Sequence, residues 1–219
     1  MKNLLIIITL FLPLCSSAQT YKCVENAEKV VISEKPCEPG TEWPALDEKK
    51  KAEFDLDIAG VKLWMTESQA LKVLAATLGI SESDIKLAEY LDIETGETQA
   101  NDNAYSTDAG GYYYAIRVNK DYDNIDNPER IVYFISQGFR KSPLDYQEIK
   151  KNLFEKYGEP SDIYPIDSVD SGQIGYEWCP GFELSDENEE ACPRKAGAKI
   201  SFDTKFDLLQ LEDLRIPKN

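Results

Sequence analysis

The residue types able to do chemistry in this chain are limited by one absence. Its 219 residues include five cysteines, 40 aspartates and glutamates, and no histidine. Histidine is the side chain used most often as a general base and as a metal ligand near neutral pH. A Ser-His-Asp triad is therefore excluded. The chemistry left to consider is that of thiols, paired carboxylates and oxygen-ligated cations.

Four of the cysteines predict two disulfides, since an even number of cysteines in an oxidising compartment is typical of a disulfide framework. Four cysteines allow three pairings. We favour the two local ones, Cys23–Cys37 and Cys179–Cys192, because each pair falls within one predicted structural unit. The alternative is a zinc site made only of cysteines, but neither pair has the close Cys-x-x-Cys spacing of such sites.

The acidic residues suggest two further kinds of site. A carboxylate pair could hydrolyse glycosides, but 40 acids make a chance pair inevitable. The segment from Asp121 to Asn127 is the nearest match to a calcium loop. Ile125 and Asp126 stand where that loop requires an oxygen ligand and a glycine, so a polar turn is the favoured interpretation and calcium binding stays open. We expect no metal ion and no cofactor.

Residues 1–18 have the features of a signal peptide: a positive residue, an apolar run, and small residues ending at Ala18. Cleavage before Gln19 would deliver the chain to the periplasm or the exterior. A lipid anchor at Cys15 is not expected, because Leu14 precedes this cysteine where a small residue would be required. No later apolar run is long enough for a transmembrane segment.

The charge balance limits the partners. Lysine and arginine number 24, and the net charge is −16. Nucleic acid is not expected as a partner, since phosphate binding requires clustered basic residues, whereas a cationic protein would be attracted.

Tyrosine is enriched at protein interfaces. The predicted partner-binding residues are two tyrosines of one strand and the acids of one loop: Tyr112, Tyr114, Asp186, Glu187, Glu189 and Glu190.

The elements that position these residues predict an α+β protein. Residues 19–40 read as a disulfide-bonded β-hairpin, residues 41–57 as a charged linker, and residues 58–216 as an α+β domain. In that domain we expect an antiparallel sheet with two helices packed on one face. The residues between 98 and 108 are polar and predict a mobile loop.

Start and stop signals mark the two helices. Thr66 and Gln69 form a capping-box pattern, and Gly79 ends the apolar periodicity that follows it. Ser142-Pro143 is predicted to open the second helix, and Gly158 to end it.

Two segments resemble known families. Residues 21–37, with Tyr-Lys-Cys-Val, Lys-Val-Val-Ile-Ser and Lys-Pro-Cys, resemble a small module of unknown function found behind signal peptides in bacterial envelope proteins. That resemblance implies an envelope location and a disulfide, and no activity. Residues 58–66 and 156–160 resemble small exported domains of the outer-membrane-assembly lipoprotein and β-lactamase-inhibitor-like types, which usually carry glycine where Trp64 stands. This second resemblance suggests protein binding and supplies no catalytic residues.

Together these patterns predict an exported envelope protein, non-enzymatic, that binds another protein. An inhibitor or immunity-type protein directed against a cationic enzyme or toxin stays open within that class. The alternative from another class is a carboxylate-dependent hydrolase.

Overall fold

The computed structural model describes residues 21–25, 29–39, 42–43, 49, 51, 54–91, 98–121, 123–124, 129–140, 144–166, 173–179, 192 and 197–216. The predicted signal peptide, most of the predicted linker and the acidic loop at 186–190 lie outside the described residues. The chain divides into two compact units, residues 1–43 and residues 44–219.

The first unit contains the predicted disulfide-bonded hairpin. Strands β1 (Tyr21–Glu25) and β2 (Lys29–Ser33) pair antiparallel. The Cys23–Cys37 disulfide, with Cα atoms 5.5 Å apart, joins β1 to the segment that follows β2. Trp43 is buried, and its backbone N–H donates to a carbonyl of β1 at 2.9 Å. A hairpin of this size buries little apolar surface, so the crosslink is a main source of its stability.

We expect removal of this disulfide to open the hairpin. Replacing both Cys23 and Cys37 by serine removes a crosslink that the chain-entropy model values at about 3 kcal/mol. The amides of β1 and β2 should then lose protection in hydrogen exchange. The matched control replaces Cys179 and Cys192 by serine and should leave β1 and β2 protected. Equal protection of the hairpin in both variants would contradict its dependence on the crosslink.

The second unit is an antiparallel eight-stranded sheet with two α-helices. The sheet order is β5-β6-β7-β8-β12-β11-β10-β9, and β3 and β4 form a separate hairpin. The α+β prediction is therefore confirmed. The helices are α1 (Glu67–Leu78) and α2 (Tyr146–Tyr157). The strands are β3 (Asp57–Ile58), β4 (Val61–Lys62), β5 (Lys86–Leu91), β6 (Thr98–Ala109), β7 (Tyr112–Lys120), β8 (Arg130–Phe139), β9 (Asp162–Pro165), β10 (Ile174–Trp178), β11 (Ala198–Asp203) and β12 (Leu208–Asp213).

The caps of α1 are those the sequence predicts. The Thr66 hydroxyl accepts a hydrogen bond from the Gln69 backbone N–H, and the Gln69 side chain accepts one from the Thr66 backbone N–H. Gly79 ends the helix at φ 67°, in the left-handed region that favours glycine.

The predicted start of α2 at Ser142-Pro143 is wrong by a few residues. The N-cap is Asp145, whose carboxylate accepts hydrogen bonds from the backbone N–H groups of Gln147 and Glu148, at 3.0 and 3.1 Å. A carboxylate satisfies these orphan donors and favours the positive end of the helix dipole. The predicted end at Gly158 is confirmed.

The core lies on one face of the sheet. A row of directly paired, buried apolar residues crosses five strands: Ile116, Ile135, Leu211, Ile200 and Trp178. The buried residues of both helices belong to the same core cluster, namely Ala70, Leu74 and Ala75 of α1 and Leu153 of α2.

The predicted loop at residues 98–108 is a strand. These residues form most of β6, which pairs with β5 on one side and β7 on the other. The sequence of β6 is polar, and most of its side chains are not buried. Its conformation follows from backbone hydrogen bonds to the strands directly before and after it in the chain, which its own polar residues do not predict.

A buried cluster of ion pairs holds the end of the last strand, β12. Arg215, 1% exposed, donates from Nε and Nη2 to the Asp213 carboxylate at 2.9 and 2.6 Å, and from Nη1 to Asp123 at 2.9 Å. Asp213 also accepts from Trp64 Nε1 at 2.8 Å. Trp64 has φ 64°, a conformation that costs a non-glycine residue on the order of 1 kcal/mol. Contacts with Phe54, Asp213 and Arg215 hold it there.

We expect Arg215→Met to destabilise the fold by about 3–5 kcal/mol, because it leaves the Asp213 carboxylate buried without its counter-charge. Urea unfolding at neutral pH measures this free energy. The matched control is Arg117→Met, which removes an exposed arginine stacked 5.0 Å from the Phe134 ring. Its cost should stay below about 1 kcal/mol. Equal losses in the two variants would contradict the structural role of the cluster.

Candidate functional site

A cavity of about 510 Å³ opens between α2, the sheet and the β3–β4 turn. We call it the helix–sheet groove. Its floor consists of Tyr112, Gln137, Phe139 and Leu209, from three adjacent strands. Its walls are Ile58 and Ala59 on one side and, on the other, Leu144, Asp145, Glu148, Ile149, Asn152, Leu153, Lys156 and Tyr157. A volume in this range is typical of binding sites.

Gln137 is the unusual residue of the floor. It belongs to a directly paired row, Tyr114–Gln137–Leu209–Phe202–Tyr176, on the apolar face of the sheet. All of its companions in that row are buried. Among the residues that the structure describes, none makes a hydrogen bond to its side-chain amide. The groove therefore combines an apolar floor with one amide that can both donate and accept.

The C-terminal half of α2 is attached at Asp57. The Tyr157 hydroxyl donates to the Asp57 carbonyl at 2.8 Å, and Lys156 Nζ donates to the Asp57 carboxylate at 3.1 Å. The same carboxylate accepts from the Gly60 backbone N–H at 2.8 Å. The two turn residues Ala59 and Gly60 have φ of 53° and 79°, the primed turn that suits a two-residue hairpin loop.

Gly60 also fixes the hairpin against α1. A Cβ atom at this position would lie 3.1 Å from both Val73 Cγ1 and Thr77 Oγ1. Positive φ and this close approach together require glycine. The β3–β4 hairpin thus packs on α1 and anchors α2, and so it forms one wall of the groove.

The rim of the groove is acidic. Asp145 and Glu148 are both exposed there, while the ammonium of Lys156 is paired with Asp57. In a chain of net charge −16, this rim would attract a cationic group and repel an anionic one.

The residues predicted for partner binding have different positions. Tyr112 lies on the groove floor, and its ring contacts Phe139 edge-on at 5.5 Å. Tyr114 is 5% exposed and belongs to the core, so its side chain supports the sheet. The acids predicted beside them, Asp186, Glu187, Glu189 and Glu190, lie outside the described residues.

Both predicted disulfides are present. Cys179 follows β10 and is bonded to Cys192, with Cα atoms 5.6 Å apart, and Cys179 is buried. Together with Cys23–Cys37, this accounts for all four cysteines of the proposed mature chain.

Sequence reasoning missed the rest of the groove floor, although strand β8 carries a signal for it. Strand β8 continues to Phe139. The alternation Ile135, Gln137, Phe139 is visible in the sequence and would have placed all three side chains on one face.

Two charged clusters are relevant to the two other sites considered from the sequence, a catalytic carboxylate pair and a calcium loop. Lys199 Nζ lies 2.6 Å from Glu177 Oε1 and 3.4 Å from Glu212 Oε1. Burial lowers the pKa of Lys199, but the hydrogen bond and charge of Glu177, with those of Glu212, outweigh burial and leave it raised. The lysine is therefore cationic and occupies the space between the carboxylates that a hydrolytic water would need.

The calcium-loop candidate is partly described. Both oxygens of Asp123 accept from Arg215 Nη1, and Lys51 Nζ lies 3.4 Å from Asp123 Oδ2. Within the described ranges, no group of three or more acids or cysteines could hold a metal ion.

The comparisons with known proteins place no limits on the function. No family model matches the chain, and no curated protein or solved structure shows a significant match. The resemblance of residues 21–37 to an envelope module stays a prediction. In the part of the chain that the structure describes, no helix has the length and apolar character to span a membrane.

We expect Tyr157→Phe to reveal how α2 is held. Burial, followed by the charge of Asp57, raises the pKa of Tyr157 above its ordinary value of 10.0. The folded chain thus keeps this proton where the unfolded chain loses it. The associated stability is complete below pH 10 and is lost as the pH rises further. Urea unfolding at pH 8 should show a loss of about 1 kcal/mol from the missing hydrogen bond.

Between pH 9 and about pH 11, the wild type should lose more stability than the variant, because only the wild type carries this tyrosine. Parallel losses in the two proteins would contradict the attachment of α2 through a buried, neutral hydroxyl. Tyr113→Phe is the matched control, since Tyr113 lies on the opposite sheet face.

Proposed function

We propose that this protein is exported, has no enzymatic activity, and binds a segment of another protein in the helix–sheet groove. The observation that carries the proposal is the Gln137 amide, which stands among apolar neighbours on the groove floor and makes no hydrogen bond within the described chain. A bound peptide backbone presents both a donor and an acceptor, and so could satisfy both ends of the amide.

The chemistry of the groove supports a partner with an apolar side chain next to a cationic one. The apolar side chain would fill the space above Tyr112, Phe139 and Leu209. The cation would lie against the carboxylates of Asp145 and Glu148 at the rim. Buried apolar anchors supply most of the affinity at such interfaces, and complementary rim charges increase the association rate.

Export is supported by the two disulfides, which are compatible with an oxidising compartment. With the predicted signal peptide removed before Gln19, the chain would act in the periplasm or outside the cell, within the bacterial envelope.

We infer also that both helices cover the same face of the sheet. The Phe154 and Tyr157 rings of α2 contact Trp178 at 6.0 and 5.9 Å. Trp178 belongs to the same paired row as Ile116 and Ile135, against which the core of α1 packs. The groove then arises where α2 stands apart from this shared face.

The test places a photo-crosslinking amino acid at position 152 in the native host. Asn152 is exposed and lines the groove, whereas Lys151, the matched control, lies on another side of the same helix. We expect position 152 to give a discrete adduct with one basic protein, and position 151 to give none. The adduct should become weaker as salt is raised, because the rim charges are exposed.

A second variant checks that the groove floor is responsible. Gln137→Leu fills the row with an apolar side chain, which should preserve stability and abolish the adduct formed from position 152. No protein adduct from position 152, equal adducts from both positions, or an adduct that Gln137→Leu leaves unchanged would refute the proposal.

A further inference from the structure

A second cavity, of about 420 Å³, lies on the other side of α2. It has an aromatic floor: Tyr176 and Phe202 are both buried, and their rings are stacked with centroids 6.5 Å apart. Tyr146 and Ile174 form its apolar walls. Tyr146 is fixed in place, because its hydroxyl donates to Asp207 Oδ1 at 2.5 Å.

The polar group that distinguishes this cavity is Lys150. Its ammonium lies 5.1 Å from the Phe154 ring centroid and 5.7 Å from that of Tyr176. Within the described part of the chain, no carboxylate lies within ion-pair distance of it. The neighbouring Lys151, by contrast, is paired with Glu155 at 3.8 Å.

This arrangement matters because the chain has far more acids than bases, 40 against 24. Several of its cations have acidic partners: Lys62 with Asp55, Lys156 with Asp57 and Arg140 with Asp108. Lys150 instead lies over aromatic rings at the edge of a cavity. A cation in this position keeps its capacity to bind an anion.

We propose that this cavity binds a small organic anion, a carboxylate attached to an aromatic or branched apolar body. The body would lie on the Tyr176–Phe202 floor, and the carboxylate would accept from Lys150 Nζ. The side-chain amide of Gln147, which lines the same cavity, offers a further donor. A polyanion such as a phosphate ester would require more than Lys150, the one cation among the described residues that line the cavity. A cationic ligand would be repelled.

This second cavity is independent of the helix–sheet groove. Different residues line the two cavities, and their charges favour ligands of opposite sign. Failure of the photo-crosslinking test would leave this cavity unaffected, and the reverse also holds.

The test uses two probes of similar size and shape, the anion N-acetyl-L-phenylalanine and its neutral N-methylamide. Each is titrated into the folded protein at neutral pH, up to about 10 mM, because a ligand of this size binds with a Kd of about 1 mM at ordinary ligand efficiency. Chemical-shift changes at Tyr146, Ile174 and Thr204 report the site. We expect the carboxylate to bind there, and the amide to bind at least about tenfold more weakly.

Variants assign the effect to one side chain. Lys150→Met keeps an unbranched stem over the rings and removes the charge, so it should weaken binding of the carboxylate by about tenfold or more. Lys150→Arg should retain most of the affinity. Lys151→Met is the matched control and should leave it unchanged.

Equal binding of the carboxylate and the amide would overturn the proposal. So would equal losses in Lys150→Met and Lys151→Met, or the absence of any shift at the cavity. The amide comparison is made on the wild-type protein, so the result does not depend on whether a variant folds.

Discussion

The apolar face of one antiparallel sheet is the constraint on which the second unit depends. Its paired rows bury the inward residues of five strands, and both helices contribute to the same core. Helix α2 packs into that core along only part of its length. Its C-terminal half packs on Tyr176 and Trp178 and is tied to Asp57, whereas its first two turns are mostly exposed. The helix–sheet groove runs along the whole of α2 and the second cavity lies beside its first two turns, so the attachment of this one helix shapes both.

The strong acidity of the chain determines how its few cations are used. Arg215 and Lys199 neutralise buried or half-buried carboxylates inside the fold, and Lys156 links α2 to the β3–β4 hairpin. Removing either partner of a buried pair leaves an uncompensated charge, so these cations have structural roles. This assignment separates them from Lys150, whose contacts are with aromatic rings.

The parts of the fold with strong local signals could be predicted from the sequence. The capping box at Thr66, the glycine ends at Gly79 and Gly158, and both local disulfides are present. Strand β6 was missed because its residues are polar, although the two-residue Gly110-Gly111 turn that joins it to β7 is a local hairpin signal. Tyr112 was correctly placed on strand β7, but its position in the groove depends on β8, β12 and α2, and periodicity does not report how strands from distant segments align. The left-handed backbone of Trp64 is likewise a tertiary effect, stabilised by Asp213 from the last strand.

Packing gives the last reason to interpret the helix–sheet groove as a site. Protein interiors fill their space closely, and an unfilled cavity forfeits contacts that larger side chains would make. An apolar residue at position 137 would extend the row formed by Tyr114, Leu209, Phe202 and Tyr176 and reduce that loss. The chain instead carries an amide there, facing the open space beneath α2. Such a choice has no benefit for packing, since an amide in an apolar row gains stability only from a hydrogen-bonding partner. The described chain supplies none, and this half-exposed amide can pair with water or with a ligand in the groove.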